Sequence, residues 1–153
     1  MEYRFVKKPP FKVVGFLENT HTNERGVFIP NDNHFTKEQF RQSLEQLLNT
    51  RVDNLLHVAV NKTEQSVDSY IGIETTAICP PSLVKLKIPE QTWAVFEIGS
   101  LSPRIINKTW YDLFIYWFPV HGYELANNIE FFREMKERHK YELWIPVIKN
   151  KSY

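Results

Sequence analysis

Apolar and polar residues alternate along the last quarter of the chain in the pattern of β-strands. Residues 128–133 and 141–148 predict the two strands of an antiparallel hairpin, because successive strand side chains point to opposite faces of a sheet. Glu142 shares its face with Trp144, and Glu130 lies on the more polar face of the first strand. We therefore predict that one face of the hairpin joins the core and that the other carries both glutamates among aromatic side chains.

Two segments have the helical spacing of apolar residues. In the first, Thr36 and Gln39 have the spacing of a capping box, and the apolar stripe that follows ends near Asn49. In the second, Ser102 is placed to cap the helix, and Pro119 is expected to end it because proline has no backbone N–H. The second helix is apolar nearly all round, so we expect one side to pack on a sheet and the other to wall a pocket.

The predicted elements follow one another in the order β-α-β-β, connector, β-α-β-β. The connector is residues 76–88, and the remaining strands are predicted at residues 10–17, 55–61, 69–75 and 93–98. The expected fold is an α+β single domain over residues 1–153. It is a tandem β-α-β-β repeat with half-repeats of about 1–78 and 83–153, related by pseudo-twofold symmetry around a central ligand cleft.

Composition narrows the expected partners and location. The net charge of +1 gives no general attraction to nucleic acid or to an anionic membrane, and no apolar stretch is long enough to cross a bilayer. The single cysteine excludes an internal disulfide, and with the absence of a signal peptide it predicts a cytoplasmic protein. The aromatic share of 14% is explained by core packing in the first instance, and an aromatic-lined cleft would explain it too.

The candidate ligand site combines the acidic and aromatic positions. Glu130 and Glu142 would supply charge: a cation about 4 Å from a carboxylate gains about 4 kcal/mol at an effective dielectric constant of about 20. Glu97 is on the same strand face as Trp93 and can line the same groove. The aromatic wall, which would add about 0.5–2 kcal/mol by cation–π contact, is assigned to Trp93, Trp110, Tyr111, Trp117, Phe132 and Trp144. The alternative is that both glutamates are solvent-exposed strand residues and that the aromatic residues are core.

Other kinds of site find no support in the sequence. The five histidines are scattered without the spacing of zinc ligands, so we predict no metal site. There is no phosphate-binding glycine loop and no dinucleotide fingerprint, so we predict no cofactor.

Four motifs in the second half occur in a familiar order. They are residues 110–119 (WYDLFIYWFP), 122–124 (GYE), 129–132 (IEFF) and 141–147 (YELWIPV). Together they resemble the GyrI-like small-molecule-binding domains, which also serve as effector-binding domains of AraC-type and multidrug-responsive regulators. The resemblance covers essentially the whole chain, with specific motifs from Trp93 onward.

The resemblance implies a central aromatic cleft that accepts amphipathic, often cationic, compounds. In such domains an acidic residue of the penultimate strand commonly meets the cation, and that position here is Glu130; Glu142 matches as well. His121 departs from the pattern, since a small residue is common there. No helix-turn-helix segment is evident, so we expect a standalone domain, a monomer or weak homodimer, that binds or sequesters amphipathic cationic aromatic compounds.

Two other functions remain open at this point. Some standalone GyrI-like proteins resemble hydrolases of strained or activated esters. In that case Glu142 or Glu130 would activate water, while Tyr111 or Trp110 orients the electrophile. The family name also suggests modulation of a topoisomerase through protein contacts.

Overall fold

The fold is a large antiparallel sheet with helices on its outer side. The computed structural model describes residues 1–20, 22, 26–136 and 139–151. Its strands are β1 (Tyr3–Lys8), β2 (Phe11–Thr20), β3 (Leu56–Val60), β4 (Val67–Glu74), β5 (Val84–Ile88), β6 (Gln91–Ile98), β7 (Tyr123–Leu125), β8 (Glu130–Met135) and β9 (Lys140–Lys149). The helices are α1 (His34–Leu48), α2 (Pro103–Asp112) and α3 (Phe118–His121), and a π-helical turn, Leu113–Trp117, joins α2 to α3. The predicted α+β class is confirmed.

The first helix starts earlier than its sequence pattern indicates. Asn33, not Thr36, is the N-cap, and its side-chain oxygen accepts a hydrogen bond from the Thr36 backbone N–H at 3.0 Å. Asparagine at this position satisfies one of the free N–H groups of the first turn, so α1 gains most of a turn. The helix ends at Asn49, where its end was predicted, and Asn49 adopts the left-handed conformation.

The second helix runs past the proline that was expected to end it. Ser102 caps α2 as predicted. The Phe118 N–H bonds to the Leu113 carbonyl five residues back, which widens the turn just before Pro119 and lets the helix continue. It ends instead at Gly122, whose φ of 72° is readily adopted by glycine.

Two strands that the sequence pattern did not indicate form the outer edges of the sheet. The strand order is β1-β6-β9-β8-β3-β4-β2-β5, with antiparallel neighbours throughout, and β7 pairs with β9. β1 is interrupted by charged residues, and β5 lies within the segment expected to be only a connector. Each outer strand pairs with a strand of the other half: β1 with β6, and β5 with β2.

The sheet curls until its two wings face each other. β1 and β2 stand six places apart in the strand order, yet only Pro9 and Pro10 join them. Six flat strand spacings would cover about 29 Å, far more than a two-residue link can span. Consistently, the rings of Phe11 on β2 and Trp93 on β6 approach to 6.4 Å between centroids. The sheet therefore has a concave inner face and an outer face.

Among the residues that the structure describes, three apolar clusters divide the core between these faces. On the outer face, α1 packs through Leu44 on one wing, and α2 packs through Trp110 on the other. The inner cluster contains residues of both wings, including Val13, Val58 and Trp93. Both helices thus lie outside the sheet, and the concave face is left to enclose a cleft. Within the described residues, no helix is long and apolar enough to cross a membrane.

Two glycines allow β2 and β4 to approach each other closely. A Cβ atom on Gly72 would lie 2.3 Å from the Val14 carbonyl oxygen, and one on Gly15 would lie 2.1 Å from the Ile71 carbonyl oxygen. We expect Gly72→Ala to lower the free energy of unfolding by about 3 kcal/mol, because backbone atoms cannot move aside as a side chain can. Urea unfolding would measure the change.

Gly99→Ala is the matched control, because a Cβ atom there meets nothing within 4 Å. Equal losses of stability in the two variants would contradict the assignment of the effect to the contact between β2 and β4.

Candidate functional site

A cavity of about 480 Å³ opens on the concave face of the sheet. Trp144, Phe131 and Leu56 form its apolar part. Arg133 and the loop at residues 50–54 contribute polar groups. The volume is in the range of sites for drug-sized ligands. Most of the lining residues are polar or charged, Lys8, Glu74 and Thr75 among them, so the aromatic surface occupies one part of the cavity.

Stacked aromatic rings make the floor of this cavity. Phe131 and Trp144 are direct cross-strand partners on β8 and β9, and their rings stack at 5.1 Å with an interplanar angle of 19°. Trp93 contacts Phe131 edge-on at 5.0 Å and is fully buried, so it supports the floor without lining it. The pairing of β8 with β9 thus creates a rigid aromatic platform.

Glu142 lies beside the platform with its carboxylate buried. One oxygen, Oε2, accepts a hydrogen bond from Arg4 Nη1 at 2.8 Å. The other, Oε1, accepts from Trp144 Nε1 at 3.1 Å and from Arg133 Nη1 at 3.4 Å. Burial by itself would raise the pKa of Glu142, but the hydrogen bonds from Arg4 and Trp144 and the charges of Arg4 and Arg133 outweigh it, so the pKa is lowered. The group is therefore a fixed anion next to an aromatic surface.

Basic and acidic side chains alternate around the cleft in ion pairs. Lys8 lies 3.0 Å from Glu74, and Arg51 lies 2.8 Å from Asp53. Glu142 is paired with Arg4 and Arg133, so Glu74, Asp53 and Glu142 each have a basic partner. A cationic ligand that pairs with one of these carboxylates must therefore displace the basic side chain that already neutralises it.

The prediction that Glu130 and Glu142 share one face of the hairpin is wrong. Phe132 stands opposite Leu143, and Arg133 stands opposite Glu142. Cross-strand partners point to the same face, so the face of Glu142 carries Arg133, and Glu130 is on the outer face. Alternation alone fixes the faces within one strand, whereas the register between two strands decides which faces coincide.

Glu130 has a separate environment beneath α2. It is 3% exposed, and its Oε1 pairs with Lys62 Nζ at 2.5 Å. The Lys62 ammonium lies 5.0 Å from the centroid of the Trp110 ring. Oε2 of Glu130 has no hydrogen-bond partner among the described residues. Burial raises the pKa of Glu130, and the charge and hydrogen bond of Lys62 compensate only in part.

The other predicted wall residues also divide between the two faces. Trp110, Trp117 and Phe132 are buried together in the core under α2. Tyr111 is 56% exposed on that helix, on the far side of the sheet from Glu142. Glu97 pairs across strands with Glu142 and so shares its face, where it lies 3.8 Å from Lys140. Tyr111 and Glu142 therefore cannot act together on one bound molecule.

Several residues of the cleft were not predicted from the sequence: Arg4, Phe131 and Arg133 around Glu142 and Trp144, and also Lys8, Leu56 and the loop at residues 50–54. Phe131 is next to Glu130 in the strand and so lies on the opposite face, the one expected to join the core; the register instead places it opposite Trp144 in the cleft. Arg4 and Arg133 carried no local signal, since Arg4 meets Glu142 across 138 positions of the chain. Only the strand pairing could have revealed them. No group of three or more His, Cys, Asp or Glu side chains that could hold a metal ion occurs among the residues the structure describes.

A curled antiparallel sheet with outer helices and an aromatic cavity defines a class of small-molecule-binding domain. A family model described as the GyrI-like small molecule binding domain matches residues 1–148. The chain belongs to this family. A search of curated protein sequences gave no match.

Solved structures share the fold at low sequence identity. SAV2435 bound to tetraphenylphosphonium has a TM-score of 0.68 at 14% identity, covering 97% of this chain and 94% of that one. An integron cassette protein of Vibrio cholerae has a TM-score of 0.58 at 16% identity, covering 95% of each chain. The EcmrR C-terminal domain has a TM-score of 0.61 at 12% identity, covering 97% and 98%. At these identities the likeness shows the fold.

The raised pKa of Glu130 predicts how the stability of the protein changes with pH, and this change tests whether the carboxyl is buried. The folded carboxyl ionises less readily than in the unfolded chain, so its contribution to stability is present at low pH and is lost as the pH rises through the raised pKa. Glu130→Gln cannot ionise. The free energy of unfolding of this variant relative to the wild type should therefore increase with pH, by on the order of 1 kcal/mol.

Urea unfolding of both proteins at about pH 5 and about pH 8 would measure this difference. Both pH values lie above the ordinary pKa of glutamate, so the carboxyl is largely ionised in the unfolded chain at each of them. A difference that shrinks as the pH rises would show that Glu130 is stabilised as an anion by Lys62.

Proposed function

We propose that the protein binds amphipathic, cationic aromatic compounds in the concave cleft, as a ligand-binding or sequestering domain. The observation that carries this proposal is the placement of the buried Glu142 carboxylate beside the stacked rings of Trp144 and Phe131. An anion fixed next to aromatic rings that line the cavity favours a ligand that is both apolar and positively charged.

The roles of the cleft residues follow from their positions. Trp144 and Phe131 supply the apolar surface, and Trp93 keeps the two rings in place. Glu142 supplies the charge, and its hydrogen bond to the Trp144 indole holds the carboxylate in one orientation. Under this proposal Trp110, Trp117 and Phe132 stabilise the outer core that supports β8 and β9, and Glu130 is buried on the same face beside Lys62.

The comparisons support the same class of ligand. SAV2435, which shares the fold, was seen with tetraphenylphosphonium, a cation surrounded by aromatic rings. EcmrR, which forms a complex with DNA, also contains this fold, and the matched region covers 57% of its chain. The fold thus occurs both in a protein that binds an organic cation and in one that forms a complex with DNA. We extend the ligand class, but not the DNA complex, to the present chain.

Glu142→Gln should weaken binding of tetraphenylphosphonium far more than binding of triphenylphosphine oxide, its neutral aryl analogue. Glutamine keeps the size of the side chain and an acceptor for the Trp144 indole but removes the charge. A loss of about 10- to 100-fold is expected for the cation, since a partly screened ion pair contributes about 1–3 kcal/mol. Isothermal titration calorimetry would give, for each compound, the ratio of the dissociation constant of the variant to that of the wild type.

Glu124→Gln provides the control, because Glu124 is an exposed carboxylate on β7 that does not line the cleft cavity. It should leave both affinities unchanged. Equal losses for the cation and the neutral compound in Glu142→Gln would contradict the charge role of Glu142. Failure of the wild-type protein to bind either compound would contradict the proposed function.

A further inference from the structure

A cation of the protein itself already occupies the position that the proposed ligand would take. The Arg4 guanidinium lies 2.8 Å from Glu142 Oε2 and 5.8 Å from the centroid of the Trp144 ring. Arg4 belongs to the edge strand β1, and its side chain extends across β6 to reach β9. It therefore makes both contacts, the ion pair and the cation–π contact, that favour a cationic aromatic ligand.

We propose that Arg4 is a displaceable resident cation that sets the specificity of the cleft, and that the preferred ligands are aromatic amidinium or guanidinium compounds that reproduce its contacts. This inference depends on the proposed function of the cleft and adds to it the chemical class of the ligand and the residue that competes with it.

The two arginines at Glu142 differ in how easily they can leave. The Arg4 side chain is 49% exposed at the edge of the sheet, so a rotation of the side chain releases it into solvent. Arg133 is the direct cross-strand neighbour of Glu142 and lies at the longer distance of 3.4 Å, beside the cavity. Displacement of Arg4 thus leaves Arg133 and the Trp144 indole on Oε1, and Oε2 needs a new donor.

The need for a donor selects among cations. An unpaired oxygen of a buried carboxylate costs more than a hydrogen bond normally contributes, because the group has already lost its water. An amidinium or guanidinium group has N–H donors and can hydrogen-bond Oε2 as Arg4 does. A quaternary ammonium or phosphonium group has the charge but no N–H, so it leaves Oε2 without that bond.

The first experiment compares the affinity of 2-naphthamidine for the wild type and for Arg4→Gln. Removal of the competing cation should tighten binding about tenfold, since the broken contact is a charge-assisted hydrogen bond that is half exposed to solvent. Arg4→Met, which cannot hydrogen-bond to Glu142, should show the same gain. Thermal unfolding of each variant verifies that it is folded.

Lys7→Gln is the matched control. It removes one positive charge from the same strand, but Lys7 is exposed and, three positions from Arg4, points to the opposite face of the sheet. Its affinity for 2-naphthamidine should equal that of the wild type. A gain of the same size in Lys7→Gln would assign the effect to net charge and would overturn the role of Arg4.

The second experiment tests the ligand class with two compounds of equal charge and the same ring system. Wild-type protein should bind 2-naphthamidine about tenfold more tightly than trimethyl(2-naphthyl)ammonium, because only the first donates hydrogen bonds. The preference should disappear in Glu142→Gln. Equal affinities of the wild type for both compounds would overturn the proposed ligand class.

The outcomes separate this inference from the proposed function. If the wild type binds 2-naphthamidine and neither Arg4 variant binds it more tightly, the role of Arg4 is wrong and the proposed function stands. If an Arg4 variant binds it and the wild type does not, Arg4 blocks the ligand instead of being displaced by it, and this inference is wrong. If no protein binds it, this inference is wrong, and the titration with tetraphenylphosphonium decides separately whether the proposed function stands.

Discussion

Two short links that contain proline hold the sheet in its curled form, and the cleft depends on them. Pro9 and Pro10 connect β1 to β2, and Pro89 and Glu90 connect β5 to β6, although each linked pair lies at opposite wings. β1 pairs with β6 on one wing but continues along the chain into β2 on the other wing. In the same way, β5 pairs with β2 but continues into β6. Opening the cleft would break one of these pairings or stretch a two-residue link. The fixed φ of proline further restricts the links.

Curling separates the buried carboxylates into environments with opposite effects on their ionisation. Glu142 faces the cleft and is kept ionised by Arg4, Arg133 and the Trp144 indole. Glu130 faces the outer core, where burial dominates and raises its pKa. Glu134, on the same outer face, bonds to His57 at 2.7 Å and to Lys37 at 3.0 Å. Burial alone would raise the pKa of Glu134, but these two partners lower it. This last cluster fixes α1 to the two central strands, β3 and β8.

Local patterns in the sequence predicted the fold class and one side of the site. Alternation placed Glu142 and Trp144 on one face, because that relation is internal to a single strand. It could not place Glu130 relative to Glu142, since the register between β8 and β9 depends on their pairing. The apolar character of α2 was also ambiguous: one side is core, and the other leaves Tyr111 exposed. The proposed pseudo-twofold symmetry stays a prediction.

The remaining question is whether exchange of a cation at Glu142 requires the sheet to move. Six consecutive residue pairs join β1 to β6. The outward-facing rings of β1 are also held: Tyr3 contacts Trp117 at 5.4 Å, and Phe5 contacts Tyr123 at 5.0 Å. The backbone that carries Arg4 is therefore anchored on its pairing edge and on its outer face. Only the half-exposed side chain is free to rotate, so exchange at Glu142 is a local event that leaves the strand, and with it the shape of the cleft, in place.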